Sequence, residues 1–417
     1  MKWFFSLFIL VFSSQLSAQQ VVWEKVLGSN VADFDSRDAV TDSKGNTYIV
    51  GRYETGIAFF KTVNGQTVYA DTTLPFGTSP FVWKISPDGK LLKRIFLPGI
   101  EAQHIVLLSD NRLAVCGFMN DYREKNYEQD RGQGVFSVFL DSTLEGSNYN
   151  IYPSFYNSTP FGMTFDSENG LIIAASAFTG PDPNIGLHDV YSLRLIRTND
   201  QGATLRDTIC LYPVWFTKSK YYARTFDGLG LAKGADDSFW LCGEVLGTEG
   251  GIHDARTSNP MALVQFDKDF RKMTAKVFTH RDRFRNEVGA YVNDLTASDK
   301  YVFVVGQDLH ETPQSFVFLF NTKGDTIYKK GFNGDFGEEP VVAQIDESHW
   351  AVLNVSKADE FVISFFDLNG LVKEKRFKPR KYSKPKALIV HGKELIAVGK
   401  IKEGEIEKMW VSKLRLD

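Results

Sequence analysis

The sequence predicts an all-β chain folded as a seven-bladed β-propeller whose last blade is closed by the N-terminal strand. Three observations predict this fold: an apolar segment that recurs seven times, a further strand and tight turn after each copy, and a match between the two chain ends. The chain has 417 residues, of which 43% are hydrophobic and 14% aromatic. It can therefore bury a large core, and its aromatic content favours β-structure.

The first eighteen residues form a separate segment. Lys2 supplies a basic start, residues 3–12 are apolar except for Ser6, and small residues precede Ala18. This pattern is typical of a secretory signal peptide cleaved after Ala18, and about ten apolar residues are too few to span a bilayer. We therefore expect residues 19–417 to form a single propeller domain that is secreted, periplasmic or held at the cell surface.

The repeat is a turn rich in Asp, Asn, Ser or Gly, then a short apolar run that usually ends in Gly. Its seven copies end at Gly51, Gly117, Ala175, Gly243, Gly306, Asn354 and Gly399. The last two spacings fit a four-stranded blade of about 40–50 residues, and the longer ones fit the same blade with insertions. Because the runs do not alternate with polar residues, we expect these second strands to be covered on both faces by neighbouring blades.

A third strand follows each copy and usually leads into a tight turn and a fourth strand. In the first repeat, residues 81–85 meet the turn Ser86-Pro-Asp-Gly89, whose Asp-Gly accepts the positive φ of a tight hairpin. The seventh repeat stops at Asp417, after its third strand, whereas residues 21–27 read as a fourth strand without a blade. Pairing these two segments would close the ring and cover two exposed strand edges.

Residues 23–25 (Trp-Glu-Lys) and 38–51 resemble the SBBP-like repeats of bacterial secreted β-propeller proteins. The resemblance implies export and a propeller fold, and it implies no common reaction. A second segment, Thr198–Thr204, is similar to the Asp-box of sialidases, which is a structural turn in that family. Leu205 stands where the box has its closing aromatic residue, and we interpret the segment as a turn.

The net charge bears on the class of binding partner, and the cysteine content bears on disulfide bonds. The formal charge of −3 does not favour nucleic acid or an anionic membrane surface as a partner of the chain as a whole, although it leaves local patches open. No later run is long enough for a membrane span. Cys116, Cys210 and Cys242 lie in apolar strands and are expected to be buried structural thiols rather than a disulfide framework.

Propeller topology places the links between second and third strands, and those between blades, on one face, with the hairpin tips on the other. The longest links all fall on the first face, called here the long-link face, at residues 54–80, 120–134, 179–190, 212–225, 246–260 and 278–289. Long loops on a rigid scaffold commonly carry function. Aromatic candidates in or beside these links are Tyr122, Tyr156, Trp215, Tyr221 and Tyr222. They either bind a protein or carbohydrate or fold inward as small cores.

Two polar sets are candidates for chemistry. His188-Asp189, His253-Asp254 and His310-Glu311 recur in blades three to five, and imidazole beside carboxylate could bind a divalent metal or act as acid and base. Sheets about 10 Å apart hold such pairs too widely for one zinc ion, which leaves loop bracing as the other interpretation. Asp38, His104, Asp227 and Asp294 fall near the starts of first strands and are expected to face the central channel, as a ligand site or as polar residues in a wet channel.

The sequence contains no catalytic signature such as G-x-S-x-G or H-E-x-x-H. It therefore favours a non-catalytic binding or scaffold propeller that recognises a protein or glycan through its aromatic long-link face, with no required cofactor. The alternative is an extracellular hydrolase or lyase that uses the His–Asp pairs or the axial carboxylates.

Overall fold

The computed structural model describes residues 21–29, 32–55, 60–63, 66–69, 77–120, 133–153, 158–178, 191–210, 225–246, 261–278, 280–281, 287–288, 290–308, 315–331, 339–356, 360–377, 383–404 and 406–416. Seven antiparallel four-stranded sheets stand in a ring, and this confirms the predicted seven-bladed β-propeller. The predicted signal peptide lies outside the described residues. No helix among the residues described here is long and apolar enough to cross a membrane.

The strands follow one another as the repeats predict. The chain begins with β1 (Val21–Leu27), and blade 1 contains β2 (Asp33–Thr41), β3 (Thr47–Glu54), the hairpin β4 (Phe60–Val63) and β5 (Gln66–Tyr69), β6 (Thr78–Ile85) and β7 (Leu91–Phe96). Blade 2 contains β8 (Glu101–Leu107), β9 (Leu113–Asn120), β10 (Gln133–Leu140) and β11 (Gly146–Tyr152). Blade 3 contains β12 (Ser158–Phe165), β13 (Leu171–Phe178), β14 (Tyr191–Thr198) and β15 (Thr204–Cys210).

The second half of the ring repeats this order. Blade 4 contains β16 (Thr225–Lys233), β17 (Phe239–Leu246), β18 (Met261–Phe266) and β19 (Lys272–Phe278), and the short pair β20 (His280–Arg281) and β21 (Glu287–Val288) follows it. Blade 5 contains β22 (Ala290–Ala297), β23 (Tyr301–Asp308), β24 (Ser315–Asn321) and β25 (Thr326–Gly331). Blade 6 contains β26 (Val341–Asp346), β27 (His349–Val355), β28 (Phe361–Asp367) and β29 (Gly370–Phe377), and blade 7 contains β30 (Ser383–His391), β31 (Glu394–Glu403) and β32 (Ile406–Arg415).

The N-terminal strand completes blade 7, as predicted. Strand β1 pairs antiparallel with β32, from Val21 opposite Leu414 to Leu27 opposite Met409. Two tryptophans stabilise this seam between β1 and β32. Trp410 Nε1 donates to Glu24 Oε1 across the strand pair at 2.8 Å, and Trp23 Nε1 donates to the Pro87 carbonyl of blade 1 at 2.9 Å. The seam therefore joins the chain ends to each other and to the next blade.

The core is a set of layers between blades rather than one central cluster. The described residues contain seven buried apolar clusters, and each lies between two adjacent blades. Val50 of blade 1 and Val115 of blade 2 share one such layer, and both are fully buried. The unbroken apolar second strands are thus dry on both faces, as the sequence predicted. Cys116 and Cys242 are free thiols within these layers, and burial raises the pKa of both.

The same turn recurs at the hairpin tips. In it an Asp or Asn side chain accepts backbone N–H groups that have no carbonyl partner in the turn. Asp42 Oδ1 accepts the backbone N–H groups of Lys44 and Asn46, both at 2.9 Å, and Gly45 between them adopts a φ of +80°. The same pair of bonds is made by Asp141, Asp166, Asn199, Asp267 and Asn321. The Asn199 copy is the turn of the Thr198–Thr204 segment. The Asp or Asn side chain therefore supplies the acceptor that each turn needs. The positive-φ position is filled by Gly in some tips and by Leu144, Asn169 or Phe270 in others.

Candidate functional site

The first strands bring one residue from each blade to an equivalent position around the ring axis. In every blade this residue pairs with the second strand, opposite the last residue but one of the apolar run that the sequence repeats. They are Asp38, His104, Gly162, Gly230, Asp294, Val341 and Ala387. In all but blade 6, a register shift in the first strand immediately precedes the residue. This level is called the axial ring below.

Asp38 joins blade 1 to blade 2 through the axial ring. Its Oδ1 accepts the N–H of Ala39 at 2.7 Å, and its Oδ2 accepts the N–H of Ile105 in the next blade at 3.1 Å. The His104 ring lies beside it, with Nδ1 3.7 Å from Oδ2. His104 Nε2 is buried and has no hydrogen-bond partner in the protein. The carboxylate is thus already occupied by two backbone donors.

Asp294 makes the same connection between blades 5 and 6. Oδ1 accepts the N–H of Leu295 at 2.8 Å, and Oδ2 accepts the N–H of Val342 at 2.9 Å. Burial inside the disc, aided by the negative charge of Asp38, raises the pKa of Asp294 to about 7, although both backbone bonds act in the opposite direction. The two amide bonds hold the Asp294 carboxyl between blades 5 and 6, so it acts as a structural clasp at this position.

The fourth axial candidate lies at another level. Asp227 pairs with Glu244 and precedes Gly230 by three residues, so the axial ring holds Gly230 in its blade and not Asp227. The side chain of Asp227 lies outside the described part of the chain. The register therefore brings together Asp38, His104 and Asp294 from the expected set.

A charged cluster that the sequence did not reveal lies just above the axial ring, towards the long-link face. The Arg37 guanidinium contacts Asp35 at 3.0 Å and forms a second ion pair with Glu101 of blade 2. Gln103 Nε2 also donates to Glu101 Oε1 at 2.9 Å. Both carboxylates are buried, and the positive charge of Arg37 offsets the cost of removing them from water. These residues lie in the polar first halves of β2 and β8, and no spacing in the sequence links them.

Charged residues of blades 6 and 7 also lie at this end of the central channel, which is called its mouth below. Lys386 forms an ion pair with Glu339. Burial acts to raise the pKa of Glu339, but the positive charges of Lys386, Lys384 and Arg37 hold it below its usual value. Blades 6, 7, 1 and 2 thus surround the mouth with neutralising pairs.

The hairpin-tip face is tied together from blade to blade. The Ser142 carbonyl accepts Lys84 Nζ of blade 1 at 2.7 Å, and Ser109 Oγ donates to Asn169 Oδ1 of blade 3 at 2.7 Å. The tip of blade 3 binds that of blade 4 through Ser167 and Asp237. Those Ser167 bonds hold the pKa of Asp237 below its usual value against the effect of burial.

Most predicted loop residues lie outside the described part of the chain. These are the aromatic candidates Tyr122, Tyr156, Trp215, Tyr221 and Tyr222, and the polar candidates His188, Asp189, His253, Asp254, His310 and Glu311. Within the residues that the structure describes, no group of three His, Cys, Asp or Glu side chains could hold a metal ion. One neighbour of this set is placed: Tyr152 is buried, with its hydroxyl 2.9 Å from the Gly202 carbonyl.

Comparison with known proteins supports the class of fold and no narrower assignment. A catalytically inactive virginiamycin B lyase from Staphylococcus aureus, solved with quinupristin, superimposes with a TM-score of 0.51 at 13% identity, covering 95% of this chain and 99% of its own. Drosophila Plexin A in complex with Semaphorin 1b gives 0.51 at 8% identity, covering 97% and 88%. The β-propeller domain of the Trilobed protease from Pyrococcus furiosus gives 0.50 at 9% identity, covering 93% and 98%.

The similar structures have different roles, so they identify a β-propeller and not an activity. No protein-family model matches the sequence, and no curated protein matches it. The Pyrococcus propeller has an open velcro topology. The ring described here is closed by β1, a difference that the strand pairing makes plain.

Proposed function

We propose that this protein is a non-catalytic binding or scaffold propeller that recognises a protein or glycan through its long-link face. The observation that carries the proposal is the difference between the two faces. Groups at the hairpin tips close turns and join blades: the Asp42 side chain accepts a backbone N–H of its own turn, and the Ser142 carbonyl accepts Lys84 Nζ of blade 1. The long-link face carries the insertions, including the hairpin β4–β5. Binding surfaces on rigid scaffolds are commonly built from such insertions.

The axial ring supports binding over catalysis. Asp38 and Asp294 each accept two backbone N–H groups, one of them from the next blade. A general base needs a free lone pair within reach of a substrate proton. Two backbone bonds use two of the roughly four lone-pair sites of each carboxylate. They fix the carboxyl groups between adjacent blades, which favours a role in holding the ring over one in the hydrolase or lyase alternative.

The setting we propose is the bacterial cell envelope or exterior, in keeping with the signal-peptide pattern of residues 1–18 and the SBBP-like resemblance of residues 38–51. N-terminal sequencing of the mature protein is expected to begin at Gln19. Metal analysis of the purified protein is expected to give no stoichiometric metal. A bound divalent ion that is lost in a His188→Ala, His253→Ala variant would favour the alternative.

Site-specific photo-crosslinking tests the choice of face. A photoreactive residue is placed at Tyr122, Trp215 or Tyr221 on the long-link face, and at Lys44 or Lys323 on the hairpin-tip face as matched exposed controls. After irradiation of intact cells, adducts with protein or glycan mass are expected from the first set only.

A further variant links the adducts to the aromatic residues. The change Trp215→Ala is expected to reduce the Tyr122 adduct by at least fivefold, because an aromatic anchor contributes about 2 kcal/mol or more to an interface. Adducts from both faces in equal yield, from the tips alone, or from neither face would each overturn the proposal.

A further inference from the structure

The outer strands of blades 4, 5 and 6 are strongly basic. Together β19, β25 and β29 carry seven basic residues and one acidic residue: Lys272, Lys276, Lys329, Lys330, Lys373, Lys375 and Arg376 against Glu374. All are exposed or half-buried. The whole chain has 48 basic and 51 acidic residues, so this surface, called the basic rim below, differs from the rest of the protein.

Protection of strand edges explains the presence of charge but not its sign. Exposed edge strands commonly carry charged residues and bulges, which prevent them from pairing with another chain. Either sign of charge serves that purpose. The outer strand β11 of blade 2 achieves it with no charged residue at all. The positive bias of three consecutive blades therefore requires another reason.

Exposed aliphatic side chains lie among these lysines. Met273, Ile327 and Val372 are 57%, 45% and 58% exposed, and each is the extra residue of a β-bulge at the same place in its outer strand. A bulge bends an edge strand whatever side chain it carries. Leu92 and Leu205 occupy the same bulge in blades 1 and 3 and are 53% and 56% exposed, so the aliphatic residue is a feature of the repeat. In blades 4 to 6 it lies beside basic residues on three consecutive outer strands, and this combination gives the basic rim an amphipathic surface.

Contacts between blades make the three strands continuous. A Cβ on Gly324 of blade 5 would lie 2.7 Å from Lys276 Cγ, and one on Gly370 of blade 6 would lie 2.5 Å from the Tyr328 ring. Each outer strand therefore packs directly on the tip of the next blade. The ion pair of Lys276 with Asp325, at 3.3 Å, is exposed on both sides, and such pairs exchange partners at little cost.

We propose that the basic rim docks the propeller on an anionic phospholipid bilayer. Lysines near such a surface each add about 1 kcal/mol of attraction, and aliphatic side chains beside them can enter the headgroup boundary. A soluble polyanion would need the charges alone, so the exposed aliphatic residues favour the bilayer. The inference uses residues distinct from the long-link face and stands independently of the function proposed above.

Vesicle sedimentation tests the charges. The protein is expected to bind vesicles of phosphatidylglycerol and phosphatidylcholine, to lose binding as salt is raised, and to ignore pure phosphatidylcholine. The triple change Lys272→Glu, Lys330→Glu, Lys373→Glu is expected to lower partitioning about 100-fold or more. The matched control changes Lys44, Lys393 and Lys402 to Glu, which alters the net charge equally on blades 1 and 7, and it is expected to bind within threefold of the original protein. Thermal melting of both variants checks that the ring remains folded.

A second variant separates a bilayer from a soluble polyanion. Met273→Ser, Ile327→Ser and Val372→Ser together leave the charge unchanged and are expected to lower vesicle binding about tenfold while retention on heparin stays the same. Three results would overturn the proposal: no preference for anionic vesicles, equal loss in the rim and control variants, or full vesicle binding by the serine variant.

Discussion

The axial ring joins adjacent blades in two different ways. In blades 1 and 5 an aspartate reaches the backbone of the next blade, with Asp38 binding Ile105 and Asp294 binding Val342. In blades 3 and 4 a glycine stands at the same position and lets the next blade come so close that a Cβ would overlap it. One contact is a hydrogen bond and the other is a close approach of two blades. Stability should therefore fall when atoms are removed at the aspartates and when atoms are added at the glycines.

The largest expected effect is at the tighter glycine. In Gly162→Ala the new Cβ would overlap Leu231 Cβ and lie 3.0 Å from the Leu231 backbone nitrogen, so the backbone of two blades must move. We expect the free energy of unfolding to fall by about 3 kcal/mol in urea titrations. Gly146→Ala is the control, because its Cβ would make only ordinary contacts. An unchanged midpoint for Gly162→Ala would refute the close approach of blades 3 and 4.

Removal of the Asp38 carboxylate should lower the free energy of unfolding slightly less than Gly162→Ala does. Asp38→Ala leaves the N–H groups of Ala39 and Ile105 without their acceptor, and we expect a loss of about 2 kcal/mol in the same titrations. Asp38→Asn keeps one acceptor oxygen and should lose about half as much. If the alanine variant is as stable as the original protein, the Asp38 clasp contributes nothing to the stability of the ring.

The third prediction concerns pH. The folded protein holds a proton on Asp294 up to about pH 7, whereas the group has its ordinary pKa of 3.8 when the chain is unfolded. Because the folded state then binds more protons between about pH 4 and 7, stability should decline as pH rises through that window and level off above it. The slope from one group is at most about 1.4 kcal/mol per pH unit.

Asp294→Asn should remove this dependence. We expect the difference in unfolding free energy between the original protein and the variant to change by about 2 kcal/mol from pH 5 to pH 7. Asp38→Asn, measured in the same series, should weaken the dependence, because the negative charge of Asp38 helps to raise the pKa of Asp294. A difference that stays constant with pH would show that Asp294 is ionised throughout.

The smallest effect is expected at the second glycine. In Gly230→Ala the Cβ would lie 2.5 Å from Leu295 Cδ2, the end of a side chain that can rotate. We therefore expect a loss of about 1 kcal/mol, less than for Gly162→Ala. Differential scanning calorimetry of the two variants gives the order directly, and a reversed order would contradict it.

The fold could be predicted from local sequence patterns. The site could be predicted only in part, because it depends on how distant segments of the chain pair. Unbroken runs such as Val302–Gly306 identify strands that are covered on both faces, and Asp or Asn before Gly identifies the tips. Asp227 was expected with Asp38 near the axis, but it stands three residues before Gly230, the axial residue of its blade, and so at the level of Asp35. The register between the first and second strands of a blade decides this level, and no local sequence signal marks that register.

One further feature could have been predicted from the sequence, and another could not. The sequence Asn64-Gly65 between two short β-rich segments is a hairpin signal, and strands β4 and β5 flank it. The ion pair of Arg37 with Glu101 joins residues of different blades. No spacing rule connects those residues, because their proximity follows from the ring itself.

Closure by β1 determines the order in which the molecule can be completed. Glu24 and Trp410 are 386 residues apart in the chain, so the first strand must wait until nearly the whole polypeptide has been made. At synthesis rates of about 5–20 residues per second, this delay lasts roughly 20–80 seconds. During that time residues 21–27 have no partner strand, and they are open to capture by chaperones or by another chain.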